Sequence, residues 1–366
     1  MLIGFLVILL LFSCETGDIN PVIPSAGTFQ LHDFENLFFT KDNGIILAGL
    51  FKNKITLIKT SPDFKIVWSK NNYDWGQNTS TGSGWGSSFY SVQITRIFQQ
   101  NNGNYICIAS VLEGGDVVYK STLIIELNSK GEQTKKLLLK NTDASNALYL
   151  NDGGILLFGT SLVKINKNYQ QIWSKKIYDN DFYAYQIIAT SDGGFATTGT
   201  YKMDKVFLKL YDSNGNELSS NIYTHNNSPI DEAGYDLTQL NDKGFLIVGR
   251  TTKSNVLYNI DCQLIRTTDS GDTIWTKRFG DSTNDWLDRI VSNNENELVI
   301  QGTSGFPMEN PRSIIIKINK DGTILDSIKT ENIPLIVFTP LKYYIKVQKT
   351  DSDHISLSSM DITKLF

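Results

Sequence analysis

The sequence predicts an all-β chain, a β-propeller of four-stranded blades, with seven blades favoured and six as the alternative. Two recurring phrases and one missing pattern predict it. The first phrase is a short polar turn, usually with glycine, followed by a run of apolar-rich residues that closes on a small residue. It reads Asp42-Asn43-Gly44-Ile45-Ile46-Leu47-Ala48-Gly49 at its first occurrence and Asp192-Gly193-Gly194-Phe195-Ala196-Thr197-Thr198-Gly199 at its fourth. The second phrase is an apolar pair and a mostly basic residue before another turn, as in Leu57-Ile58-Lys59 or Phe207-Leu208-Lys209. No stretch carries a sustained helical period.

Taken in order, the first phrase is anchored at Ile45, Tyr105, Ile155, Phe195, Phe245, Leu298 and, in a poorer copy, Ile355. That spacing of roughly 50 residues marks a repeat architecture. Each anchor opens one strand, and the basic phrase that follows marks the next. Turns such as Asp212-Ser213-Asn214-Gly215 supply the positive φ that a tight hairpin needs. A further strand carries Trp68-Ser69-Lys70, Trp173-Ser174-Lys175 or Trp275-Thr276-Lys277. A four-stranded meander cannot bury both faces alone, so the units must stack face to face, and a ring of them is a propeller. Six full units are legible. The tail from Tyr343 to Met360 supplies the first two strands of a seventh, completed by Ile362 to Phe366 or by the segment around Phe29.

Ahead of the repeats, Leu2 to Phe12 form an unbroken apolar run about half the roughly 20 residues that span a bilayer. A signal h-region fits that length. It ends in Leu11-Phe12-Ser13-Cys14, which resembles the lipobox of bacterial lipoproteins. The resemblance implies residues 1–13 as a signal peptide, a lipid on Cys14, residues 14–28 as a tether, and a single propeller domain over residues 29–366. No Lys or Arg precedes the apolar run.

The Asp-Gly-Gly-apolar phrase, the apolar-Lys strand, the Asn-Gly turn and the Trp-Ser-Lys strand together resemble the degenerate propeller repeats of secreted proteins and lipoproteins of the Bacteroidota. The resemblance covers about Phe34 to Met360 and weakens in the sixth and seventh units, where glycines are missing. It implies an outer-membrane lipoprotein, periplasmic or surface-exposed, and no catalytic residue.

Composition narrows the function classes. With 34 basic and 38 acidic residues the net charge is −4, which argues against a nucleic-acid binder. Three cysteines exclude a disulfide-stapled scaffold, and Cys107 and Cys262 read as core thiols on units that are not neighbours. The three histidines, His32, His225 and His354, have no partner at metal spacing, so neither metal nor cofactor is expected.

Apparent catalytic motifs resolve into turns. Thr267 to Trp275 is one residue off the Asp-box of sialidase propellers, where the box is a turn device, and none of the six arginines lies in that family's Arg-Ile-Pro phrase. Asp212 to Asn216 reads as a hairpin turn ahead of a calcium loop. No Gly-x-Ser-x-Gly elbow occurs, and the mannose-pocket signature of bulb-type lectins is missing. Asp231 with Glu232, and Asp285 with Asp288, are acids at the starts of first strands and read as caps. A polysaccharide hydrolase or lyase with acids on the channel rim is the alternative they leave open. The third-strand basic residues Lys59, Lys164, Lys209, Arg266 and Lys317 read as repeated inter-blade ion pairs or solvated stems.

Length variation falls between strands two and three and between units, on one face of a meander ring. Its long connections include Tyr73 to Phe89, Val111 to Lys120, Thr251 to Asn259 and Ser304 to Arg312. The aromatic residues Tyr73, Trp75, Trp85 and Tyr90, with Trp286 on the same face, are the candidate ligand-binding set for a glycan or protein. Packing of Trp75 and Trp85 as a lid on the first two blades is the alternative. The sequence therefore reads as a lipid-anchored, monomeric binding module, with a structural subunit of an envelope complex as a further option.

Overall fold

The computed structural model describes residues 27–30, 34–51, 54–73, 89–114, 119–177, 181–224, 231–252, 260–280, 284–294, 297–305, 312–331, 335–338, 344–349 and 354–360. Among them every regular element is a β-strand. The strands form seven four-stranded antiparallel sheets. Six of these blades are consecutive meanders, spanning residues 34–73, 89–140, 146–176, 182–223, 233–279 and 285–331, here blades one to six. The chain divides into two compact units, Met1–Ser174 with Val337–Asp361, and Lys175–Ile336 with Ile362–Phe366.

Blade seven departs from the expected assembly. Its order is Gly27–Gln30, His354–Met360, Tyr344–Lys349, Leu335–Phe338. The segment around Phe29 does complete it, pairing Phe29 with Ile355. However, the two tail strands are its middle pair, because Leu335–Phe338 takes the outer place opposite the N-terminal strand. That four-residue strand, followed by Thr339-Pro340, lacks the turn phrase that marks strands elsewhere.

The repeated phrases have clear physical jobs. At four hairpins between third and fourth strands, the first turn residue takes the amides of the third and fifth: Asn128 Oδ1 accepts from Lys130 N at 3.0 Å and Glu132 N at 2.9 Å. Asn166, Asp212 and Asn319 repeat this geometry. In the Asp-box-like turn a hydroxyl does the work, Thr268 Oγ1 accepting from Asp272 N at 3.0 Å. The fourth turn residue sits at positive φ and is Gly131, Gly215, Gly271 or Gly322 in four blades. Such side chain to backbone bonds are what Asx turns offer.

Four of the third-strand cations pair within their own blade and not between blades: Lys59 lies 3.1 Å from Asp42, Lys164 lies 3.1 Å from Asp152, Arg266 pairs with Asp242, and Lys209 lies 3.0 Å from Glu217 on the fourth strand. Antiparallel register sets this, since Lys59 opposes Ile46 one residue past the anchor and can reach the turn aspartate. Lys59 is only 1% exposed, and its ammonium also donates to Thr60 O at 2.6 Å. Burial pulls its pKa down while Asp42 resists the shift. The second glycine of the turn follows from the same packing, because a Cβ on Gly44 would stand 2.2 Å from Lys59 Nζ. Blade two replaces the cation with Glu126, which accepts from Tyr169 Oη of blade three at 2.6 Å.

Blades stack through apolar faces. One cluster joins blades one and two, holding Phe38, Leu57, Tyr105 and Leu123, and others join two with three, four with five, and five with six. Cys107 and Cys262 are buried free thiols in two of them, as expected. The fourth-strand tryptophans clamp the next blade's turn: a Cβ on Gly131 would meet the Trp68 ring at 2.7 Å, and one on Gly322 would meet Trp275 at 2.5 Å.

Candidate functional site

Within blades one, two, four, five and six the first strand carries a β-bulge at one fixed place. Register slips between Phe34 and Asn36, Ile94 and Arg96, Ala184 and Gln186, Gly234 and Asp236, and Leu287 and Arg289. A bulge leaves one residue unpaired and re-aims its side chain. The small residue closing the first phrase lies beside the slip, as in the pairs Gly234 with Gly249 and Leu287 with Gly302. There the first strand presses in so closely that a Cβ on Gly249 would fall 1.8 Å from Ala233 O.

The residue after each bulge is polar and buried: Asn36, Arg96, Gln186, Asp236 and Arg289, with Asn146 at the matching place in blade three. Four of these carry an oxygen that accepts the next residue's amide, from Leu37, Ala147, Ile187 and Leu237. In the second unit they also link successive blades. Gln186 Nε2 donates to Asp236 Oδ1 at 2.9 Å, and Ile290 N donates to Asp236 Oδ2 at 2.9 Å. Burial raises the Asp236 pKa against these donors, and burial lowers that of Arg289 against the pull of Asp288 and Asp236. This hydrogen-bonded lattice holds the first strands in fixed relation.

What the bulge displays differs along the chain. In the first unit Thr95 Oγ1 donates to Ile108 O at 3.1 Å, and Ser145, matching it in blade three, donates to Phe158 O at 3.1 Å. These small hydroxyls are absorbed by their own sheet. In the second unit the bulged residues are Tyr185, Tyr235 and Asp288, on Phe182–Ala189, Ala233–Gln239 and Asp285–Asn294. The two tyrosine rings lie 5.5 Å apart at 44°. Arg250 stands over the Tyr235 ring at 5.5 Å and donates from Nε and Nη2 to Asp231 Oδ1 at 3.0 and 2.7 Å. Asp288 Oδ2 accepts from Thr303 Oγ1 at 2.8 Å, and its carboxyl is also bonded by Trp286. Burial raises the Asp288 carboxyl and both tyrosine hydroxyls above their ordinary values. Tyr185 nevertheless remains 41% exposed.

All these groups lie near the starts of first strands or, for Arg250, near the end of a second strand. That is the end of the blade from which the variable connections leave. Trp286 is therefore brought into a cluster, partly exposed beside Asp288. The other sequence-derived candidates fare differently. Tyr73 is 2% exposed and its hydroxyl donates to Gly131 O, so it is a blade-to-blade clamp and presents no surface to a ligand. Tyr223 repeats that contact, donating to Gly271 O at 2.6 Å. Tyr90 lies opposite Glu113 on the first strand of blade two. Trp75, Trp85 and Cys14 lie outside the described residues.

The paired acids are held by structure. Asp231 is taken by Arg250, and Asp285 by Lys329 at 3.1 Å. Glu232 is 1% exposed and accepts from Thr251 Oγ1 at 2.6 Å. Burial pushes its carboxyl up to about 7, and Asp204 adds to the shift. Among the described residues no group of three or more His, Cys, Asp or Glu side chains could hold a metal ion.

Sequence reasoning misses Tyr185 and Tyr235, although a signal exists. The polar lattice residue precedes each of the first six anchors by nine positions, from Asn36 before Ile45 to Arg289 before Leu298. The displayed residue is the one before it.

Comparison with solved structures gives the fold a context. The chain is similar to the WD40 domain of Pan2 from Neurospora crassa, with 8% identity and a TM-score of 0.53 over 91% of this chain and 96% of that one. It is also similar to BBS1N, solved in complex with ARL6DN and soaked with lead, with 10% identity and a TM-score of 0.50 over 94% of this chain and 99% of that one. At such identities the likeness establishes the fold alone, a β-propeller of four-stranded blades. No family model matches the chain, and no curated protein matches it.

Proposed function

We propose that the chain is a non-enzymatic binding module of the bacterial cell envelope, tethered by a lipid on Cys14, that engages a glycan or a protein through the end of the blades carrying the variable connections. One observation carries this reading. Repeated polar residues are spent on turns, ion pairs and the bulge lattice, whereas Tyr185, Tyr235, Arg250, Trp286 and Asp288 have no counterpart at the matching places of blades two and three and lie at that end. Binding and scaffolding suit a propeller, and BBS1N was solved with a protein partner. The structural partners of Asp231, Glu232 and Asp285 favour recognition over hydrolysis, since general acid and base groups must reach a substrate.

A glycan array and a pull-down with the chain from residue 14 onward test the reading. Specific capture of a glycan or a protein supports it, and capture of neither contradicts it. Cys14→Ser is expected to release the expressed protein from the membrane fraction. Retention there would contradict the lipid tether.

A further inference from the structure

We infer that Tyr185, Tyr235 and Asp288 form a subsite for a neutral glycan, an inference that rests on the binding-module reading and names its ligand class. The three side chains sit at the same bulge position of three successive first strands, and the Gln186–Asp236–Ile290 bonds beneath them fix their spacing. A site built on strands braced by buried hydrogen bonds is preorganised. Tyr185 presents an exposed aromatic surface beside the Tyr235 ring. A pyranose has an apolar C–H face that packs on such a ring and hydroxyls around its rim that need polar partners. The tyrosine hydroxyls and the Asp288 carboxyl supply them within the same cluster.

Charge decides between ligand classes. The cation over Tyr235, Arg250, is committed to Asp231 through both Nε and Nη2, and Arg289 is buried beneath the bulges. Recognition of a carboxylated, sulfated or phosphorylated ligand calls for an available guanidinium or ammonium. Beside the tyrosine pair the charge of Arg250 is matched by Asp231, and Asp288 adds a further carboxyl near Tyr235, so the cluster holds no excess positive charge and an anionic sugar is disfavoured. A protein partner would seek an apolar core. Among the described residues the exposed aliphatic side chains Leu218, Ile222, Ile274, Ile324 and Leu325 of this unit lie instead on fourth strands, and Met203 stands singly at the connection between the second and third strands of blade four.

The test uses the chain from residue 14 onward on an array of neutral and acidic glycans, followed by titration calorimetry with the strongest neutral hit. Wild type is expected to prefer neutral glycans. Tyr185→Ala should weaken binding by about tenfold or more, and Asp288→Asn by a smaller factor. Tyr185→Phe keeps the stacking ring and should retain most of the affinity, which also guards against a misfolded alanine variant. Thermal melts of each variant accompany the titrations. Preference for acidic glycans, or full affinity in both Tyr185→Ala and Asp288→Asn, would overturn the inference. Capture of a protein with no glycan binding overturns the subsite and leaves the binding module standing. Binding of neither overturns both.

Discussion

Blades two and three of the first unit and blades four and five of the second use one backbone position in opposite ways. Thr95 and Ser145 turn their hydroxyls back onto their own second strands, at Ile108 O and Phe158 O. Tyr185 and Tyr235 are too large for that, and their rings stand beside one another, whereas Asp288 of blade six is bonded by Thr303 of its own second strand and by Trp286. The polar residue that follows is buried on both sides of the comparison, so the scaffold is common and the display differs. A repeated position with a repeated chemistry is maintaining the blade. The same position with a changed chemistry is free to recognise something.

The largest way to break the comparison is to destroy the bulge. Gly249→Ala places a Cβ against Ala233 O, so the first strand of blade five must move. We expect a loss of about 2–4 kcal/mol in urea unfolding, with weakened ligand binding as Tyr235 loses its aim. A variant that melts and binds like wild type would show that the close approach does not shape the bulge.

Next comes the buried carboxyl at the displayed end. Glu232 has a folded pKa of about 7 against an ordinary 4.5, so the folded state holds a proton that the unfolded chain releases. Its contribution is therefore intact below about pH 4.5 and is lost as pH rises through 7. Glu232→Gln removes that ionisation while keeping an acceptor for Thr251. It should gain about 2–3 kcal/mol over wild type at pH 8, shrinking to little at pH 5. A gain that is the same at both values would contradict the assignment.

The smallest effect is on the other side of the comparison. Thr95→Val removes a buried hydroxyl and should cost about 1 kcal/mol of stability with no change in binding by the folded protein. Loss of binding here would erase the distinction between the two units.

These contrasts also show what the sequence can reveal. Turn phrases are legible because Asp, Asn and Gly have few other reasons to recur at fixed offsets, and they locate six blades directly. The third-strand cation is legible as a position but not as a contact, because the direction in which Lys59 reaches depends on register. Leu335–Phe338 is hidden because a short apolar strand without a turn phrase looks like any other apolar stretch. Aromatic residues at the long connections read as exposed binders, yet Tyr73 is a clamp on Gly131. The displayed residues are obscured for a related reason: a bulge shifts the strand's alternation by one, so Tyr185 and Tyr235 read as ordinary strand aromatics.

The central claim, that the bulge position is structural in the first unit and recognitive in the second, has one direct measurement. Thr95→Val and Tyr185→Ala are titrated side by side against the neutral glycan that wild type binds, with each affinity corrected for the folded fraction. The account predicts wild-type affinity for Thr95→Val and at least a roughly tenfold loss for Tyr185→Ala, with the melting temperature lowered only in the former. Equal affinities in the two variants, or a loss confined to Thr95→Val, would contradict it.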